Sequence, residues 1–146
     1  MKKELVNLSN QYLANIGVSY IKLHNLHWNV VGKQFKAVHE YLESLYDALA
    51  DVLDEVAEIL KMNGEMPLGS LKDYLAVASV QELDNKELSV NESLEIVLAD
   101  LQLLKAHAEE IRRMADEEDH YQLVGSMEDH LSNYSKNIWF IKAMLK

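Results

Sequence analysis

The chain has 146 residues, about half of them apolar, with 14 Lys and Arg against 24 Asp and Glu for a net charge of −10, no cysteine and a single proline, Pro67. That length holds one domain, taken as 1–146, with a substantial core. The missing cysteines exclude disulfides, thiolate metal sites and cysteine catalysis, so a metal would need N and O ligands, and the acidic balance argues against binding a polyanion. No apolar run approaches a membrane span, and MKKELVNLSNQYL lacks the apolar stretch of a signal peptide, so a cytoplasmic protein is expected.

The scarcity of Gly and Pro favours long helices, and four are predicted. Leu5, Leu8, Tyr12, Ile16, Tyr20, Leu23 and His27 are spaced by threes and fours, the stripe of a first helix ending near Gly32. Val38, Leu42, Leu45, Leu49, Val52, Val56 and Leu60 mark a second, stopped by Asn63, Gly64 and Pro67. Residues 70–78, SLKDYLAVA, predict a short helix opened by Ser70. Ser89 and Glu92 form a capping box ahead of a third long helix through Leu94, Val97, Leu101, Leu104, Ala108 and Ile111. Asp119 with Gln122 reads as the cap of a fourth, striped by Val124, Met127, Leu131, Tyr134, Ile138, Ile141 and Leu145. The fold class is therefore all-α: a four-helix bundle whose roughly 25-residue connection between the second and third long helices crosses over and carries the short extra helix.

The chemistry gathers on the second helix. At 100° per residue His39, Glu43, Asp54 and Glu58 lie at about 0°, 40°, 60° and 100°, so they project within one arc. His39 and Asp54 are nevertheless separated by about 22 Å along the axis, too far to share a metal ion. A two-fold axis removes the difficulty: positions 39 and 58 have the midpoint 48.5, as do 43 and 54. Antiparallel copies of this helix would set His39 against Glu58 of a second copy, and Glu43 against its Asp54. Tyr46, Ala50, Leu53 and Ala57 form an apolar ridge on the same face, with small residues that allow close approach. His27, near the end of the first helix, would add a second imidazole. Imidazole and carboxylate without thiolate suit iron, and also manganese or zinc. The plainer reading stands beside this one: a lone histidine on an apolar face is usually a satisfied core residue, and an acidic helix a solvated face.

The stretch HW-N-x-x-G-x-x-F-x-x-x-H, here His27, Trp28, Asn29, Gly32, Phe35 and His39, followed by Asp54 and Glu58 in DEVAE, resembles the signature of Dps-type mini-ferritins. The likeness spans the chain, down to a tryptophan near the end of the fourth helix, Trp139. It implies a ferritin-like bundle and a hollow homododecamer that oxidises Fe(II), preferentially with hydrogen peroxide, at two-fold interfaces and stores ferric mineral, protecting against oxidative stress. His27, His39 and Glu43 would come from one subunit, Asp54 and Glu58 from its dyad mate, with iron the metal handled. Two positions depart from the family pattern. Aspartate is common where Glu43 stands, and many members have arginine where Ile59 follows Glu58. Asp116, Glu117, Glu118 and Asp119 are candidates for the family's three-fold pores, or simply an acidic loop. Family members that bind DNA do so through a lysine-rich terminal arm; the first helix begins within a handful of residues, so direct DNA binding is not expected.

Three other readings remain open at this stage. A nucleoid-associated, DNA-protecting protein with secondary ferroxidase activity would bind DNA in a salt-dependent way. A di-iron ferritin with its site inside the bundle would need E-x-x-H motifs there, and the only match, Glu117 to His120, falls in the predicted turn between the last two helices. In a helical protein without a metal, the five candidates would be coincidence.

Overall fold

The computed structural model describes all residues 1–146. Its elements are α1 (Lys3–Asn29), β1 (Val30–Val31), α2 (Phe35–Met62), α3 (Leu71–Val77), β2 (Leu88–Ser89), α4 (Val90–Glu117) and α5 (Tyr121–Met144). The four long helices form the bundle, with α1 against α2 and α4 against α5 as its main pairs. Their stripes meet in one apolar cluster that includes Leu42, Leu94, Leu104, Ile111 and Met127, all essentially sealed from solvent. Burying each such side chain contributes about 1.5–3 kcal/mol, before the cost of ordering the chain.

The helix ends show why the segments stop where they do. After α2, the Glu65 amide donates to the Leu60 carbonyl and the Gly64 amide to that of Lys61, a Schellman ending. Gly64 at φ 78° takes the left-handed position that the motif needs. The end of α4 repeats the pattern: the His120 amide donates to the Ala115 carbonyl and the Asp119 amide to that of Asp116. Here Asp119 occupies the left-handed position, at φ 55°. That corrects the cap expected for the last helix. Asp119 terminates α4, and His120 is the residue whose side chain accepts the Leu123 amide at the start of α5. Ser89 with Glu92 does form the capping box of α4, and Ser70 accepts the Asp73 amide to open α3.

The crossover between α2 and α4 runs along α1 and is pegged to it by side-chain amides. Asn10 accepts the Leu68 amide and donates to the Met66 carbonyl, and Gln11 donates to the Val77 carbonyl. Further on, Asn15 accepts the Ser79 and Val80 amides, and Asn25 donates to the Leu83 carbonyl. A two-residue parallel pairing, Val30 with Leu88 and Val31 with Ser89, completes the attachment. This cover explains a difference from the expected single stripe: α1 is buried continuously from Tyr12 to Ser19. Gly17 lies beneath the Tyr74 ring of α3, where a Cβ would stand 2.6 Å from Tyr74 Cδ2. The buried Lys22 and the half-buried Asp100 make an ion pair at 2.7 Å between α1 and α4. Burial raises the Asp100 carboxyl even so, outweighing the attraction of Lys22.

A second polar system crosses the core. Glu55 of α2 accepts from Ser126 and faces His130 Nε2 at 3.3 Å; His130 Nδ1 lies 3.0 Å from the Tyr12 hydroxyl, which also meets that of Tyr134. With the carboxylate on Nε2, a neutral His130 donates there and accepts the Tyr12 proton at Nδ1. Burial pushes both phenols well above their usual range, so they remain hydrogen-bond donors. These bonds tie α2 to α5 where the two helices otherwise have little contact.

Candidate metal centre

The turn between α1 and α2 sets the first half of the site. Val30 and Val31 are held extended by their pairing with the crossover, and Gly32 at φ 110° with Gln34 at φ 66° then reverses the chain. Only glycine adopts the first of these angles readily. The reversal lays the last turn of α1 against the start of α2, bringing His27 and His39 face to face with ring centroids 3.7 Å apart and planes 11° from parallel.

Each imidazole is fixed by the other residue's backbone. His27 Nδ1 donates to the His39 carbonyl at 2.6 Å, and His39 Nδ1 donates to the His27 carbonyl at 2.7 Å. A carbonyl only accepts, so each Nδ1 must carry the proton. In the neutral ring this leaves each Nε2 with a lone pair, the state a metal requires. Glu43, one turn after His39, stands with Oε1 4.0 Å from His27 Nε2, its side chain about half exposed. Tyr46 donates to the same carboxylate at 3.2 Å and sets its ring edge-on to His27, centroids 5.3 Å apart. Desolvation, helped by Glu43, raises the Tyr46 phenol above its usual range and keeps it a donor.

Of the five residues predicted from sequence, the structure thus gathers three: His27, His39 and Glu43. Asp54 and Glu58 lie further along α2, both exposed. Because α2 is unbroken from Phe35 to Met62, the about 22 Å between His39 and Asp54 cannot be closed within the chain. No group of three or more histidine and acidic side chains in one chain is arranged to hold a metal ion. Tyr46, Ala50, Leu53 and Ala57 are each only half-buried along α2.

The four acidic residues considered for a pore have uses within the chain. Arg113 pairs with Glu117 and Arg112 with Asp116, Glu118 accepts from the Lys2 amide, and Asp119 ends α4. Glu117 and His120 sit at the α4–α5 turn, outside the bundle interior. Sequence reasoning missed His24, which stacks on Tyr46, and the Glu55–Ser126–His130 system. The latter had a signal: Ser126 and His130 are four apart along one flank of the apolar stripe of α5.

The fold and this histidine pair define a ferritin-like protein, and the family model for the ferritin-like domain matches residues 7–146. The chain is 35% identical to General stress protein 20U of Bacillus subtilis, over 99% of each chain. It superposes on the crystal structure of a Dps protein from Bacillus brevis with a TM-score of 0.93, 33% identity and full coverage of both chains. The Dps protein of Vibrio cholerae O1, described as a member of a broad superfamily of ferritin-like diiron-carboxylate proteins, matches with a TM-score of 0.94 and 28% identity, over 99% of this chain and 90% of that one. The chain belongs to the Dps-type mini-ferritins.

Proposed function

We propose that the chain is the subunit of a hollow homododecamer in the cytoplasm that oxidises Fe(II), preferentially with hydrogen peroxide, at sites shared across two-fold axes, and stores the ferric product inside. The observation that carries this reading is the reciprocal carbonyl clamp on His27 and His39, which leaves both Nε2 atoms free, that of His27 4.0 Å from the Glu43 carboxylate. Asp54 and Glu58 of a dyad mate would complete the ligand set. The half-buried ridge of Tyr46, Ala50, Leu53 and Ala57 supports an isologous contact there. In this role two Fe(II) ions each give one electron to peroxide, the O–O bond breaks, and two protons are taken up as two waters form. Transfer of the electrons as a pair avoids release of hydroxyl radical. Carboxylates such as Glu58 suit bridging of adjacent ions, and the net charge of −10 favours drawing in Fe(II).

The test is anaerobic Fe(II) loading followed by a peroxide pulse, reading ferric absorbance and particle mass on wild type and on His39→Ala with Asp54→Ala. Rapid oxidation in a particle of about twelve subunits, lost in the variant while the particle persists, is expected. Equal oxidation in both would make these residues structural. A DNA-protecting role as the main function has support in relatives named DNA protection during starvation protein. The negative charge opposes it, and a salt-dependent gel shift with the assembled protein would decide for it.

A further inference from the structure

His24, one turn before His27, takes no part in the ligand set above, yet it is tied into it. Its Nδ1 donates to the Tyr20 carbonyl at 2.7 Å, which fixes the plane of the ring. Against that plane lies the ring of Tyr46, centroids 3.7 Å apart and 21° from parallel. Tyr20 closes the other side, edge-on to both His24 and Tyr46, with centroids 4.7 and 6.1 Å away. Trp28, tilted against His24 at 5.5 Å, flanks the group on the solvent side. Held in this slot, Tyr46 directs its hydroxyl to Glu43 Oε1. Glu43 itself is half exposed and makes no other side-chain hydrogen bond within the chain. An unrestrained glutamate would sample several rotamers and lose that freedom on binding a cation.

We propose that His24 is a positioning residue for Glu43, acting through Tyr46: it holds the carboxylate beside His27 before a divalent cation arrives. This inference rests on the reading of His27, His39 and Glu43 as metal ligands. The longer glutamate side chain makes the restraint matter, since it has one more rotatable bond than aspartate. The Tyr46 hydroxyl, occupying one lone pair of Oε1, leaves the other carboxylate positions free for a cation. Removal of partners of this kind typically weakens metal binding about 10–100-fold.

The experiment is anaerobic Co(II) titration of the full-length assembled protein, followed by visible absorption and calorimetry, with particle mass and melting checked for every variant. The Co(II) lost in Glu43→Ala defines the ion of interest. His24→Ala and Tyr46→Phe should each weaken that ion about tenfold. The double variant should be no weaker than either one, because both cut the same chain. His24→Phe, which keeps an aromatic plate, should bind more tightly than His24→Leu, which fills the space without one; this pair carries the test should His24→Ala fail to fold. Unchanged affinity in the single variants, additive losses in the double, or equal binding by His24→Phe and His24→Leu overturns the proposal while leaving the metal centre in place. Wild-type protein that binds no Co(II) overturns the metal-centre reading and this inference with it, and Glu43→Ala that binds as wild type removes Glu43 from the ligand set and overturns this inference alone.

Discussion

At the residue scale the controlling fact is which nitrogen of each histidine is occupied. His27, His39 and His24 all spend Nδ1 on a backbone carbonyl, so their chemistry is confined to Nε2. His107 is the contrasting case: Nε2 donates to the Leu8 carbonyl, and Nδ1 lies 3.3 Å from the Asn15 amide, which donates to it. Burial lowers the affinity of His107 for a proton, more than the bond to Leu8 raises it. The unfolded chain therefore protonates there first. Stability contributed by a neutral His107 is complete above about pH 6.5 and is lost as the pH falls below that value toward the lowered folded-state value. His107→Gln should flatten the fall in melting temperature on acidification through this window. Parallel melting curves against pH for the two proteins would show that His107 contributes nothing to the dependence.

At the scale of elements, α3 is held by what α1 lacks. A helix interior glycine costs about 0.5–1 kcal/mol relative to alanine, and Gly17 is kept where Tyr74 must approach the α1 backbone. Gly17→Ala would gain that propensity while displacing the Tyr74 ring. The expected outcome is a global melting temperature little changed and at least about tenfold faster amide exchange in Leu71–Val77, corresponding to about 1.4 kcal/mol of lost local stability. Exchange in α3 equal to wild type would show that Tyr74 does not pin it. The same logic of elements held by particular side chains applies to α2, whose start is fixed by the turn at residues 30–34 and whose rotation is restrained by Glu55 against Ser126 and His130.

For the whole molecule the proposed dyad contact falls on the half-buried face of α2 that carries Tyr46, Ala50, Leu53 and Ala57. Ala50 lies closest to the 48.5 midpoint on the ridge and is half-buried in the isolated chain. A charge there would be tolerated by the single subunit and not by a close helix pair across a dyad. Ala50→Glu should reduce particle mass to that of small species while helical content stays near wild type, as measured by light scattering and circular dichroism. An intact particle carrying the substitution would place the contact between subunits elsewhere.

Periodicity and capping were enough to determine the four long helices, the short helix after Ser70 and the start of α4, because a buried stripe and a local hydrogen-bond pattern are written in neighbouring residues. The same holds for the shared arc of His39, Glu43, Asp54 and Glu58 and its separation along α2, which follow from helix geometry alone. Only tertiary structure decided that Asp119 ends α4 rather than opening α5, since the left-handed turn there closes on carbonyls of the preceding helix. It alone revealed that α1 is covered on a second side, by a crossover pegged through Asn10, Asn15 and Asn25. The carbonyl clamp on His27 and His39 and the placing of His24 against Tyr46 were likewise out of reach of the sequence. Those contacts join atoms of two helices, and the chain reversal that brings them together depends on the pairing of residues 30–31 with residues 88–89, more than fifty positions away.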